Sequence, residues 1–311
     1  MLFEYAVEPQ AMGSSWRNFQ LLISQFGFDR GRLISQFPKA WFREVYAASG
    51  AMKPVERKRL EESLNRAKKS KVVRSGRPYD QTLAGWLPNA IAQQTSLPFH
   101  AIIAEHNPSS HPQVLTVDEV DDDHPLMAAS HTWDVDRVGV AIADAMRPLL
   151  ASANTVLFVD RFFDISKARY QETLKACLDV IHASGGAGVR CEIHFCDHDN
   201  RPPPEFVERE AHKWVVGVLP AGMSVALFAW KEQVGGADFH ARYLLTDVGG
   251  MNVEAGFSAE GAHQKVQLGL LPMALAQSRL DALLPTSAVY DLVGPVLEIQ
   301  SDGTVVRTLG R

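Results

Sequence analysis

The sequence predicts an α/β protein: a mixed β-sheet flanked by helices, preceded by a mainly helical N-terminal region. Three observations predict it. From about residue 134, continuous apolar runs of strand length alternate with amphipathic helical stretches. Beyond residue 224, strand patterns follow one another across glycine-bearing turns, which calls for antiparallel pairing. The first hundred residues, by contrast, carry helix start and stop signals. The divisions expected are a helical region over 1–97, a strand and loop connector over 98–133, and an α/β domain over 134–311.

In order along the chain, Ser14 and Ser15 can cap "WRNFQLLISQF", which Gly27 stops. Pro38 opens "PKAWFREVYAAS", which Gly50 stops. Leu22–Phe26 and Leu33–Phe37 both read "LISQF", and the expectation is two similar core-facing helical turns. Pro54 opens a basic helix running to about Ser70. "FHAIIAEH" and "QVLTV" read as strands around "NPSSHP", followed by the acidic loop "VDEVDDDHP". Val135, Val138, Ile142, Met146 and Leu149 form a helical stripe, and "TVLFVD" is a buried strand ending in Asp160. Ser166 opens a helix with Tyr170, Leu174, Cys177, Leu178 and Ile181 on one side. "VRCEIHF", the helix "PEFVEREAHKWV", "SVALFAW", "FHARYLLTD", "KVQLGLL", a helix over 273–284, "PVLEI" and "TVVRTL" complete the pattern.

Composition narrows the function classes. The chain has 311 residues, 46% hydrophobic and 22% charged, as a globular protein does. No apolar run approaches the length of a membrane span, and "MLFEYAVEPQ" lacks the basic flank of a secretory signal. Cys177, Cys191 and Cys196 match no zinc spacing and leave one unpaired, so a reducing cytoplasm is expected. Five of the eleven histidines fall between His100 and His131, yet none stand at helical ligand spacing, and no metal or other cofactor is expected. The net charge of −5 argues against a generic nucleic-acid binder, but segment 53–77 holds ten Lys or Arg against three Glu. Lys68, Lys69, Lys71 and Arg74 are the candidates for gripping a phosphate backbone there. The competing reading is a solvated helix whose Glu56, Glu61 and Glu62 pair locally.

The chemistry concentrates in "GGADFHARYLLTDVGGMNVEAGFSAEG" (235–261). Read as a strand, "FHARYLLTD" puts His240 and Arg242 on the same side, about 7 Å apart at Cα. Phe239, Ala241, Tyr243 and Leu245 take the other. A neutral imidazole escapes the repulsion a phosphodiester exerts on anions, so His240 could attack phosphorus. Arg242 could hold two oxygens in a bidentate grip, and Asp247 could fix the imidazole tautomer and steady its charge. Glu254, Asn252, Ser258 and Asp160 are supporting candidates. Asp160 and Asp164, at the end of "TVLFVD" and just beyond, either anchor Arg242, line the cleft, or cap the next helix. Trp214 and Trp230 read as core.

The spacing H-x-R-x-x-x-x-D resembles the phospholipase D superfamily signature H-x-K-x-x-x-x-D, which is followed there by G-S-x-N. The resemblance covers about residues 130–311. Arginine stands where lysine is usual, Phe257 where serine is expected, and Ser258 one place late. No asparagine follows, Asn252 lying earlier and Glu260 later. The resemblance implies a phospholipase D-like mixed sheet flanked by helices and a metal-independent phosphodiesterase, most simply a nuclease with a phosphohistidine intermediate. It also implies a second motif to supply a general acid. His263-Gln264-Lys265 begins one, but Leu270 occupies the aspartate position. With one copy, the resemblance implies a homodimer. The alternative is a non-catalytic subunit that binds nucleic acid or a partner protein within a defence or DNA-processing complex. Phospholipid cleavage is disfavoured, because no lipid-facing amphipathic helix is evident and no membrane partner is expected.

Overall fold

The strand β1 (Phe3–Val7) buries Tyr5, Ala6 and Val7 completely, because strands lie on both its sides and helices on both its faces. The computed structural model describes residues 2–186, 188–197, 204–215 and 217–308. These divide into two units, Met1–His131 and Thr132–Arg311. Each is an α/β arrangement built on one sheet.

In the first unit α1 (Pro9–Gly13) and α2 (Trp16–Gln25) lead to β2 (Arg32–Gln36). Then follow α3 (Trp41–Ala48), α4 (Pro54–Ser70), β3 (Val72–Arg74), α5 (Trp86–Gln93), β4 (Ala101–Ala104) and β5 (Val114–Thr116). The sheet order is β3-β2-β1-β4-β5, all neighbours parallel. The expected mainly helical region over 1–97 is therefore corrected: helices alternate with strands of a parallel sheet. A parallel strand buried on both faces shows no polar alternation to betray it. Residues 98–133 are not a connector, since β4 and β5 complete this sheet. The acidic loop is tied to it as well, through an Arg32–Asp122 ion pair of 2.7 Å. Arg32 Nη1 donates to the Met127 carbonyl at 2.8 Å.

The repeated pentapeptide takes two structures. Leu22–Phe26 closes α2, whose Ser15 Oγ accepts from the Asn18 amide at 3.1 Å. Leu33–Phe37 instead lies largely in β2, with Leu33 and Ile34 both fully buried between β1 and β3. The expectation of two helical turns fails because sheet pairing on both sides outweighs local propensity.

The second unit comprises β6 (Thr132–Arg137), α6 (Gly139–Ser152), β7 (Thr155–Val159), α7 (Ala168–Ala183), β8 (Arg190–Cys196), α8 (Pro204–Val215) and β9 (Ser224–Glu232). It continues with β10 (Tyr243–Thr246), β11 (Gly249–Val253), β12 (Gly261–Leu270), α9 (Met273–Ala282), β13 (Tyr290–Leu292), β14 (Val296–Gln300) and β15 (Val305–Thr308). The sheet runs β15-β14-β9-β8-β7-β10-β11-β12-β6, with β13 also on β9. Strands β7, β8 and β9 are mutually parallel and the remaining pairings antiparallel. Val135 belongs to β6 rather than to a helical stripe, while Ile142, Met146 and Leu149 are the buried line of α6.

Two faces follow from strand alternation. Leu157, Val159 and Leu245 share a cluster with Ala276 of α9, and Phe158 lies on the other face against Phe257 at 5.4 Å between rings. No helix among the described residues is long and apolar enough to cross a membrane.

Candidate functional site

Register decides what Arg242 meets. Tyr243 pairs with Val159 in the antiparallel β10–β7 ladder, so Arg242 falls opposite Asp160 at the end of β7. Asp160 is 1% exposed, and its Oδ1 lies 3.5 Å from Arg242 Nε. The same carboxylate accepts from the Phe162 amide at 2.9 Å and from the Phe257 amide at 3.0 Å. Asp160 thus joins the end of β7, the start of β10 and the glycine turn after β11.

That turn is closed by a position that only glycine can fill. Gly256 has φ of +75°, and a Cβ there would stand 2.1 Å from Asp160 Oδ2 and 2.7 Å from Arg242 Cδ. Two arginines cap the turn's carbonyls. Arg242 Nη1 donates to the Glu254 carbonyl, while Arg137 donates to the carbonyls of Ser258 at 3.0 Å and Ala255 at 3.2 Å. Arg137 also donates to Ser258 Oγ, so that hydroxyl is engaged inside the turn. Glu260 holds Arg169 at 3.0 Å and Arg137 at 3.8 Å.

The residues singled out in the sequence are therefore not one constellation. The strand begins only at Tyr243, so His240 and Arg242 precede it instead of alternating along it. His240 is exposed. Arg242 has its Nε and Nη1 committed to Asp160 and Glu254, which removes the bidentate fork expected to grip phosphate. Asp247 lies at the far end of β10, about 13 Å along the strand from Tyr243. There it accepts from the Asn154 amide at 2.8 Å, the Asn154 side chain at 2.9 Å and the Thr155 amide at 3.2 Å, bracing the start of β7. Its expected service to the His240 tautomer is corrected by that separation. Glu254 contributes its backbone carbonyl while its side chain is exposed, and Asn252 is half-buried opposite Tyr243.

His240 borders a cleft of about 150 Å³ with Val159, Tyr243, Arg279 and Tyr290. Arg279 lies 5.7 Å from the Tyr243 ring centroid, an approach no sequence spacing announces because α9 carries it in from 36 residues beyond. Burial pushes the Tyr290 phenol upward, the nearby Arg279 acting against it.

The basic segment divides too. Lys58, Arg59, Arg66, Lys68, Lys69 and Arg74 are exposed, whereas Leu60, Leu64 and Ala67 turn inward. Lys71 is removed from the expected phosphate contacts: its Nζ donates to the carbonyls of Ile23 at 3.0 Å and Phe26 at 2.6 Å, ending α2. Burial holds its ammonium below the usual lysine range. Glu56 accepts from the Lys53 amide, and among the described residues no ion pair joins Glu56, Glu61 or Glu62 to a basic side chain.

Cys177, Cys191 and Cys196 are all buried, and burial pushes the Cys191 thiol up to about 12. Among the described residues, no three His, Cys, Asp or Glu side chains are grouped to hold a metal ion.

Fold and site together define an α/β protein of two sheet-centred units, the second with a buried aspartate, Asp160, paired to a partly exposed arginine, Arg242. No protein-family model matches the chain, and no curated protein matches it. Among solved structures it is similar to that of TrmBL2, described as an archaeal chromatin protein with a novel mode of DNA binding. The identity is 12%, the TM-score 0.27, and the match covers 49% of this chain and 50% of that one. The chain therefore spans about half the length of that structure.

Proposed function

We propose that the chain binds nucleic acid through the exposed face of α4 and the neighbouring Arg74, and that its second unit is a non-catalytic phospholipase D-like scaffold. One observation carries the reading: six exposed cations on and beside one helix have no carboxylate partner among the described residues. Unneutralised cations along a helix release counterions when they meet a phosphate backbone. The loss of catalysis is supported by the engagement of Arg242 and Ser258 and by the distance of Asp247.

Substituting Lys68, Lys69 and Arg74 together by glutamate is expected to weaken binding to duplex DNA or RNA about a hundredfold at moderate salt. The slope of log affinity against log salt should fall by about 2.7, three contacts at 0.9 each. Lys71 is left in place because its removal would unfasten α2. An unchanged slope, measured by fluorescence anisotropy at several salt concentrations, would return α4 to a solvated helix.

A second reading keeps phosphodiesterase activity, favoured by an exposed His240 beside a cleft. It expects cleavage of labelled single- or double-stranded DNA or RNA in excess chelator, abolished by His240→Ala without loss of thermal stability. A general acid must then come from another copy, so the active species should sediment as a dimer. Activity that vanishes with chelator and returns with Mg²⁺ excludes the histidine mechanism.

A further inference from the structure

The groove between α2 and α4 offers what the exposed face of α4 lacks, an aromatic surface. We propose that this groove binds single-stranded nucleic acid, DNA or RNA, with a base stacked on Trp16 and the backbone held by Arg17, Arg59 and Arg66. The groove shares cations with the α4 reading, rests on it, and adds which form of nucleic acid is selected.

Two hollows share Trp16 and Gln20: one of about 540 Å³ bordered by Arg17, Met52 and Glu56, the other of about 360 Å³ bordered by Ile23, Arg59, Ser63 and Arg66. Both volumes fall in the range of small-ligand sites, about 300–1,000 Å³. On α4, Glu56, Arg59, Ser63 and Arg66 recur at intervals of three and four residues, so a single helix face forms that wall. Trp16 opens α2 on the other side and is half-buried. Phe19 stacks on it with ring centroids 5.5 Å apart and planes inclined by 21°, which fixes the indole plane. The indole Nε1 has no acceptor among the described residues and reaches solvent. Arg17, Arg59 and Arg66 are exposed and pair with no carboxylate among the described residues. Arg66 Nη2 donates instead to Ser63 Oγ at 3.1 Å.

A half-buried indole beside unpaired guanidinium groups suits a ligand that carries ring faces and phosphates together. In a duplex the base faces are covered by their neighbours, and only phosphates and base edges meet a protein. A duplex can therefore engage the exposed cations of α4 but not the Trp16 ring, which an unpaired base can reach. Two carboxylates border the groove. Glu56 is engaged with the Lys53 amide at 3.3 Å. Glu62, exposed between Arg59 and Arg66, repels phosphate and accepts from base amino groups, so it turns bases and not backbone to its side. An acidic peptide would satisfy the arginines and leave the indole unused.

The test is fluorescence anisotropy of the full chain with labelled single-stranded DNA and RNA of one mixed sequence and with the blunt duplex of that DNA, polyglutamate serving as competitor. Both single strands are expected to bind about tenfold more tightly than the duplex. Trp16→Ala should weaken single-strand binding about five- to hundredfold, with the salt slope and duplex binding unchanged, because stacking is lost and no phosphate contact is. Trp16→Phe should restore most of the affinity. Arg59→Gln combined with Arg66→Gln should lower the single-strand salt slope by about 1.4, two contacts at 0.7 each. Both arginines are exposed, so this pair tests the groove even if the melting temperature shows that Trp16→Ala does not fold. Absence of binding to all three nucleic acids would overturn the α4 reading and the groove together. Four outcomes would overturn the groove and leave duplex binding by α4 standing: duplex bound as tightly as single strands, a folded Trp16→Ala protein with unchanged affinity, an unchanged slope in the arginine pair, or polyglutamate competing as well as unlabelled single strand.

Discussion

Asp160→Ala is expected to destabilise the second unit by about 2–4 kcal/mol, because it strips an acceptor from two backbone amides and a counter-charge from a partly exposed guanidinium. For a unit of this size that corresponds to a fall in melting temperature on the order of 10 °C. The carboxylate does three jobs in a site 1% exposed: it offsets Arg242, ends β7 through the Phe162 amide and holds the turn through the Phe257 amide. Its loss leaves the Phe257 amide without that acceptor, and places a guanidinium, 22% exposed, beside an empty volume. Asp160→Asn keeps an acceptor but not the charge and should cost less. Because Arg242 is held in part by this pair, Arg242→Ala in the Asp160→Ala background should cost less than it does alone. A melting temperature within about 2 °C of the unaltered protein would show that the cluster is not what holds the turn.

The second large effect concerns acid. Trp230 Nε1 donates to His194 Nδ1 at 2.9 Å, and an indole can only donate, so Nδ1 must be the acceptor. His194 Nε2 therefore carries the hydrogen and donates to Glu192 Oε2 at 2.9 Å. The imidazole is neutral and fully buried, stacked on Phe228 at 4.5 Å. Burial pushes its pKa down, Arg190 adds to that, and Glu192 opposes it by hydrogen bond and charge without reversing the direction. An unfolded histidine takes up its proton near pH 6.5, while the folded one refuses it until lower pH. This contribution to stability is thus fully present above about pH 6.5 and is lost as pH falls toward the folded value. The slope can reach about 1.4 kcal/mol per pH unit. Urea unfolding followed by tryptophan emission between about pH 8 and pH 5 measures it. His194→Phe should be less stable at neutral pH, because Glu192 and the Trp230 N–H lose their partner, but its stability should vary less over that interval. Parallel curves for the two proteins would place the acid sensitivity elsewhere.

Much of the second unit was legible because its periods are clean. "TVLFVD" and "VRCEIHF" lie between helices with apolar stripes, and β7 and β8 with α7 between them follow from that order. The glycine turn was legible too, though not its purpose. The first unit was harder. Its strands are three to five residues long and shielded on both faces, so they carry no alternation, and helix caps dominate the local signal.

What the sequence determined by itself is local: where helices start, which runs are apolar, and that His240, Arg242 and Asp247 stand at set offsets in the chain. What those residues do was decided by strand pairing. The pentapeptide "LISQF" is helical at Leu22 and extended at Leu33, because only the second copy has neighbours on both sides to hydrogen-bond. Arg242 meets Asp160 because β10 runs antiparallel to β7 in one register, and a slip of one residue would have aimed it at the other face. Asp247 braces Asn154 because the same strand carries it away from His240. Arg279 comes beside His240 because α9 packs across β10 and β11, a contact between segments that no spacing along the chain encodes.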